Sequence, residues 1–284
     1  MRISLTKNVL PLSAILLVVF SITFLPRPSV AHLYEAARPV VRTAKRKPVV
    51  VHAPSAAIIA ALPAAERSAP IITPKLTHLL NSTGMQERHR RMTESVLGLL
   101  TPSCQDKLES FSVLYDHPKH RGLAGRGVVL LSGTVPDTEF LGLLQHEALG
   151  HFRDITCVTG TEQSGASAFR DGQEPVWNDD PSAAFYRISW TNEKTVRSTA
   201  RPEDFVTGYA RKGDSFEDLA ESVTYYVSQE NAFRLRARSN PVLARKLKWL
   251  ETHMPKPGRI AEGEAWNGEI AWDATKLAFT WLGN

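Results

Sequence analysis

The sequence predicts a mixed α+β protein on the evidence of three features. Two short apolar runs, at 111–116 and 128–133, have the length and composition of strands. A longer stretch, from Thr134 to Phe152, follows them with a wide apolar surface at helical spacing. Two further amphipathic stretches lie near the carboxyl end. We therefore expect a small sheet packed on the first long helix, and a mainly helical C-terminal lobe.

The individual elements can be placed in order along the chain. Helical spacing begins near Lys75 and continues to Leu100, and the Gly-rich segment 122–127 should be the loop that joins the two strands. The segment 154–203 is rich in Gly, Asp, Asn and Ser, which predicts a long irregular loop with short elements. Helices are predicted over 215–233, capped by Ser215 and Asp218, and over 240–253.

The first 31 residues have the features of an export signal. Arg2 and Lys7 form a basic start, Val9–Leu25 is apolar, and small residues occupy 29–31, where a signal peptide is cleaved. Pro11 and the short apolar run argue against a permanent spanning helix, which needs about 20 apolar residues. We expect a periplasmic or secreted protein, which an uncleaved N-terminal segment would anchor to the membrane.

Composition divides the rest of the chain into three parts. Residues 32–74 are an Ala-, Pro- and Arg-rich stretch that cannot bury enough surface to offset its ordering entropy, and we predict a disordered tether. The catalytic domain is predicted over 75–255. Residues 256–284 form a tail with Trp266, Trp272 and Trp281, which should pack on that domain.

Cysteine content and charge restrict the classes of function. Cys104 and Cys157 can form a disulfide in an oxidising compartment, or can remain two thiols, and the sequence leaves both open. The formal net charge is +5, but the basic residues are dispersed and are not interleaved with aromatic residues. Because single-strand binding relies on that combination, we predict no nucleic-acid partner.

The motif HEALGH, His146–His151, lies on the C-terminal half of the helix that directly follows a strand. On a regular helix, residues five apart point about 140° away from each other, whereas residues four apart differ by about 40°. A π-bulge adds one residue to a turn and would let both imidazoles converge on one metal ion. Gly150 would ease the resulting strain. The motif therefore predicts a metal site on a locally widened helix.

A catalytic zinc ion usually takes three protein ligands, so a third is expected from another element. The segment EDLAE sets Glu217 and Glu221 on one face of the predicted 215–233 helix. We predict Glu217 as the third ligand and Glu221 as the partner of the other nitrogen of a ligand histidine. Asp154, three residues after His151, is an alternative ligand.

The catalytic roles follow from the positions of two further residues. Glu147, beside His146, would take a proton from a water on the metal and pass it to the leaving amine. Tyr209, eight residues before Glu217, would donate a hydrogen bond to the oxyanion. This set predicts an exported zinc-dependent hydrolase of peptide bonds, with peptides or proteins as substrates.

These residues resemble two families of metallopeptidase. HEALGH is similar to the H-E-x-x-G-H motif of the dipeptidyl-peptidase III family, and EDLAE matches the last five positions of its E-E-C-R-A-E segment at Glu217, Ala220 and Glu221. The tyrosine and EDLAE also resemble the Y-x(6)-E-x-x-A-E stretch of the anthrax lethal factor-like domain, a group that includes Pro-Pro endopeptidases. That group spaces tyrosine and glutamate seven apart and its histidines as H-E-x-x-H. The resemblance implies a zincin-like fold of the gluzincin type, in which a strand edge holds an extended substrate.

Two functions other than a peptidase are compatible with the same ligand residues. One is a non-catalytic binding or scaffold protein of the cell envelope on a zincin fold. The other is a metal-dependent hydrolase that acts on a cell-wall amide. The presence of Glu147 beside both histidines favours an enzyme, because a binding protein has no use for the base.

Overall fold

The computed structural model describes residues 71–116, 118–254 and 260–282. The predicted export signal and nearly all of the predicted tether lie outside these residues. Within them, no helix has the length and apolar character needed to cross a membrane. The prediction of a mixed α+β protein is confirmed: helices predominate, and the described strands form three small sheets.

The first sheet follows three short helices and has three strands in the order β1-β3-β2. Strand β1 runs parallel to β3, whereas β2 pairs with β3 in the antiparallel direction and forms an edge of the sheet. The elements are α1 (Pro74–Asn81), α2 (Glu87–Leu97), α3 (Pro102–Gln105), β1 (Ser110–Leu114), β2 (Gly122–Gly125) and β3 (Val128–Ser132). The prediction of a plain loop at 122–127 is therefore wrong, because Gly122–Gly125 forms a strand.

The long helix after β3 changes its winding partway along. Helix α4 (Asp137–Leu144) is regular, and it continues as a π-helix of 13 residues, Gln145–Cys157. Both parts bury their apolar face, and the small sheet lies against the π-helix. Cys157, at the end of the π-helix, forms a disulfide with Cys104 of α3. The widened helix is thus tied at its carboxyl end to the helices that precede the sheet.

The segment after the π-helix is more ordered than its composition indicates. It contains a hairpin, β4 (Ala166–Asp171) and β5 (Glu174–Trp177), and the helix α5 (Pro181–Ser189). Phe185 and Tyr186 of α5 are fully buried. Their burial against the C-terminal helices supplies the stability that the polar sequence around them does not suggest.

Four helices complete the C-terminal lobe: α6 (Gly208–Lys212), α7 (Ser215–Ser228), α8 (Glu230–Ser239) and α9 (Pro241–His253). Helix α7 is capped by Asp214, whose side chain accepts hydrogen bonds from the backbone N–H of Phe216 and Glu217, and not by the predicted Ser215 and Asp218. The predicted 215–233 helix is interrupted at Gln229. Helix α7 is buried along almost its whole length and is the central helix of the lobe.

A buried ion pair holds α7 against α9. Lys246 Nζ lies 2.8 and 2.7 Å from the two carboxylate oxygens of Asp218, and Trp190 Nε1 donates to the same carboxylate at 2.9 Å. Both charged side chains are completely buried. Because each charge is compensated by hydrogen bonds, the pair fixes the packing of the two helices.

The C-terminal residues 260–282 pack on the lobe. Strands β6 (Ala261–Gly263) and β7 (Phe279–Trp281) form an antiparallel hairpin. Gln229 Nε2 donates to the Ala278 carbonyl at 2.9 Å, and the backbone of Thr275 lies directly against Gly142 of α4, where a Cβ would be 2.6 Å from the Thr275 oxygen. The tail therefore bridges α4 and the end of α7.

Candidate metal centre

Three of the predicted ligands come together between the π-helix and α7. His146 Nε2 lies 3.1 Å from Glu217 Oε2, and His151 Nε2 lies 3.3 Å from Glu217 Oε1. One ligand atom from each of the three residues lies within 4.8 Å of the other two. His146 and Glu217 are buried, and His151 is nearly so. This group could hold a metal ion.

The π-helix explains how the two histidines converge. Its hydrogen bonds join residues five apart, so the side chains of His146 and His151 lie on one face of the helix. The two ring centroids are 4.9 Å apart. The predicted widening is present, and it extends through the whole motif instead of adding a single residue to one turn.

Gly150 has a role in helix packing that the sequence does not predict. A methyl group at this position would lie 2.7 Å from both Cα and Cβ of Ala220 on α7, well inside normal contact distance. The glycine therefore lets the π-helix and α7 approach each other closely. This approach is what brings both histidines within reach of Glu217, one turn before Ala220.

The spacing and chemistry of the three side chains fit a divalent metal. His146 Nε2 and His151 Nε2 lie 3.1 and 3.3 Å from different oxygens of Glu217, and one ligand atom from each residue lies within 4.8 Å of the other two. Bonds of about 2.1 Å would place tetrahedral ligand atoms roughly 3.4 Å apart, so the three side chains would draw together on binding. Burial acts to raise the pKa of Glu217, but His151 and His146 outweigh it and hold that pKa well below its usual range. Glu217 thus offers an ionised carboxylate. Two imidazoles and a carboxylate suit several transition metals, and zinc is one of them.

Glu221 lies behind His146, where the sequence predicts it. Its Oε1 is 3.1 Å from His146 Nδ1, and its Oε2 accepts hydrogen bonds from the Thr207 hydroxyl and, at 2.9 Å, from the Ala274 N–H. Burial acts to lower the pKa of His146, yet the contacts with Glu217 and Glu221 raise it well above its usual value. Glu221 therefore fixes the orientation of the imidazole through a fully buried contact.

Glu147 is buried at the meeting point of the π-helix and β2. A Cβ at Gly122 would lie 2.4 Å from Glu147 Oε1, so only glycine leaves room for this carboxylate beneath the strand. Burial raises the pKa of Glu147, although His146 and His151 act in the opposite direction. A carboxylate with a raised pKa is a stronger base than one in water.

Tyr209, in α6, lies close to His146. The centroids of its ring and of the His146 ring are 6.3 Å apart. Burial raises the pKa of Tyr209, and the nearby carboxylates of Glu217 and Glu221 raise it further. The phenol therefore keeps its proton and can act as a hydrogen-bond donor.

Asp154 lies outside the group of three ligands. Its Oδ2 accepts a hydrogen bond from the Tyr186 hydroxyl of α5, and burial raises the pKa of Asp154 to about 7. Asp154, the alternative ligand, is thus hydrogen-bonded to α5 and does not join the three ligands.

A stretch of the tail, the 271–275 segment, contacts the centre at three points that sequence analysis missed. Ala274 N–H binds Glu221, the carbonyl of Trp272 accepts from Tyr209 N–H at 2.7 Å, and Asp273 lies 2.6 Å from Arg121, the residue before Gly122. These contacts join parts of the chain separated by up to 152 residues. No local pattern in the sequence signals them.

Comparisons with protein families, with curated proteins and with solved structures found no match to this chain. The resemblance to known peptidases therefore rests on the two short sequence motifs.

Proposed function

We propose that this protein is an exported zinc-dependent peptidase with a zincin-like fold of the gluzincin type. The observation that supports it best is the cluster of His146, His151 and Glu217 with Glu147 buried directly beside it. Two ligand histidines, a ligand carboxylate and a second carboxylate next to them form a set that a metal hydrolase requires. The N-terminal sequence supports export.

Zinc, when bound, acts as a Lewis acid that polarises a carbonyl group and lowers the pKa of water. His146, His151 and Glu217 would hold it. The carboxylate of Glu147 would accept the proton of the attacking water and deliver it to the nitrogen of the leaving amine. Tyr209 would donate its phenolic proton in a hydrogen bond to the oxygen of the attacked carbonyl, where negative charge develops.

Strand β2 supplies a surface on which an extended peptide could bind. Its outer edge has no partner strand in the described part of the chain, and its side chains, in Gly122–Gly125, are small or absent apart from Leu123. A peptide that pairs with this edge would run beside Gly122, the residue that lies against the Glu147 carboxylate. Backbone pairing of this kind binds substrates with little dependence on sequence.

The proposal is tested by comparing wild type with Glu147→Gln. We expect the variant to retain zinc, measured by elemental analysis of the purified protein, and to cleave a broad peptide library about 10²- to 10⁴-fold more slowly. Glu162→Gln, at an exposed turn, is the matched control and should behave as wild type. Cleavage by Glu147→Gln at the wild-type rate would contradict the assigned mechanism.

The same preparations distinguish the two alternatives. Hydrolysis of peptidoglycan fragments without hydrolysis of peptides would indicate a cell-wall amidase. Stoichiometric metal with no turnover of either substrate class would indicate a binding or scaffold protein.

A further inference from the structure

Trp272 is unusual among the large aromatic side chains of the described residues. Its exposed fraction is 61%, whereas most of the other large aromatic residues are buried in the core. An exposed indole offers a large apolar face that a ligand side chain can cover. Trp272 is also close to the candidate metal centre, which makes a ligand contact relevant to the proposed activity.

The indole is exposed but held in place by the backbone around it. The carbonyls of Ala271 and Trp272 accept hydrogen bonds from Gly208 N–H at 2.8 Å and Tyr209 N–H at 2.7 Å. The ring rests on Gly208, where a Cβ would lie 2.7 Å from Trp272 Cε3. The indole is thus in contact with Gly208, and the backbone of Trp272 is held by the hydrogen bond from Tyr209.

Trp272 lies close to Tyr209, and the residue after it contacts the start of β2. Its ring centroid is 6.3 Å from that of Tyr209, which is in turn 6.3 Å from that of His146. The next residue, Asp273, is bonded to Arg121 at the start of β2. The chain at Trp272 and Asp273 therefore contacts both Tyr209 and the residue that precedes the edge strand.

The distance from the Trp272 indole to the His146 ring can be spanned by a short peptide. Two steps of 6.3 Å place the indole at most about 13 Å from the His146 ring, which an extended chain, at about 3.3 Å per residue, covers in roughly four residues. A peptide on β2 with its scissile bond at the metal centre would bring a side chain close to Trp272.

We propose that Trp272 forms a specificity subsite that binds a large apolar side chain, aliphatic or aromatic, within about four residues of the scissile bond. The inference rests on the proposed peptidase function and adds a preference that neither motif contains. The exposed indole face would be covered by the substrate side chain, and this burial would provide affinity without any change in the metal ligands.

The test measures binding separately from catalysis. Blocked octapeptides built from Ala, Gly and Lys, with Ala, Leu or Phe at one position at a time, are titrated against zinc-loaded protein carrying Glu147→Gln, with and without Trp272→Ala. At one or two adjacent positions, peptides with Leu or Phe should bind more tightly than the peptide with Ala. Trp272→Ala should weaken the binding of these Leu and Phe peptides about 10- to 100-fold. Trp272→Phe should restore part of it.

Ile270→Ala is the matched control, since Ile270 is 39% exposed and lies two residues away but lines a groove with Trp266 and Leu235 on another face. It should leave the peptide preference unchanged. In the catalytically intact protein, Trp272→Ala should raise KM for the Leu and Phe peptides, with kcat and zinc affinity unchanged.

The outcomes separate this inference from the function on which it rests. Peptides that bind and are cleaved with no preference, or with a preference that Trp272→Ala does not alter, would overturn the subsite and leave the peptidase assignment in place. Absence of both binding and cleavage for every peptide would overturn the peptidase assignment and the subsite with it.

Discussion

Replacement of Gly150 by alanine tests whether the close approach of two helices creates the metal centre. The added methyl group would lie 2.7 Å from Ala220 Cα and Cβ, whereas carbon atoms pack at about 3.5–4.0 Å. The π-helix and α7 would have to separate by roughly 1 Å, while metal–ligand bonds tolerate only about 0.2 Å. Overpacking of this kind costs about 1–3 kcal/mol. The metal-bound protein must keep the two helices close and therefore keeps this strain, whereas the metal-free protein can relax. Metal affinity should then fall about 5- to 150-fold.

The assay is a competitive zinc titration of wild type, Gly150→Ala and Gly125→Ala, with thermal unfolding measured in the presence and absence of zinc. Gly125, on β2, has open space where a Cβ would be placed, so its variant should bind zinc as wild type does. Gly150→Ala should also gain less thermal stability from zinc than wild type gains. Equal zinc affinity for Gly150→Ala and wild type would refute the view that this contact sets the ligand geometry.

Three further predictions concern the surroundings of the centre. Glu217→Ala should abolish tight zinc binding, whereas Glu221→Ala, which only loses the orientation of one imidazole, should weaken it about 10- to 100-fold; equal losses in the titration would contradict the distinction. Because burial raises the pKa of Asp154 to about 7, this carboxyl group ionises at lower pH in the unfolded state, and its contribution should lower the stability of wild type by roughly 4 kcal/mol between about pH 4 and 7. In urea unfolding across that pH range, Asp154→Asn should lose less free energy of unfolding than wild type. The same pH dependence in both proteins would rule out Asp154 as the cause. Lys246→Ala leaves the Asp218 carboxylate buried without its partner and should cost about 3–5 kcal/mol in urea unfolding, so a change below 1 kcal/mol would show that the pair is not needed.

Local patterns were sufficient to predict the helices on which His146, His151 and Glu217 lie and the grouping of these three side chains. Apolar spacing identified the helix that carries His146 and His151, and the requirement that both rings converge predicted its widening. The Glu217 and Glu221 pair could be found because a metal site needs a third ligand and an orienting partner, and residues four apart share a helix face. Each of these inferences depends on residues that are close in sequence.

Long-range contacts account for what the sequence did not reveal. Strand β2 has two glycines and no apolar alternation, and it forms a strand because β3 pairs with it. The glycine at position 122 is explained by the Glu147 side chain, which leaves no room for a Cβ. Helix α5 forms in a polar segment because Phe185 and Tyr186 are buried by distant helices. The same explanation holds for the 271–275 segment, whose partners are far away along the chain.

The contacts of the 271–275 segment have a consequence for the order in which the centre can be completed. A chain made from its amino end acquires His146 and His151 first, then Glu217, and only later the backbone that orients Glu221 and Tyr209. A nascent polypeptide therefore possesses its cation ligands well before it possesses the parts that align them. If the centre has the proposed peptidase activity, that activity would be delayed during synthesis until the tail has docked.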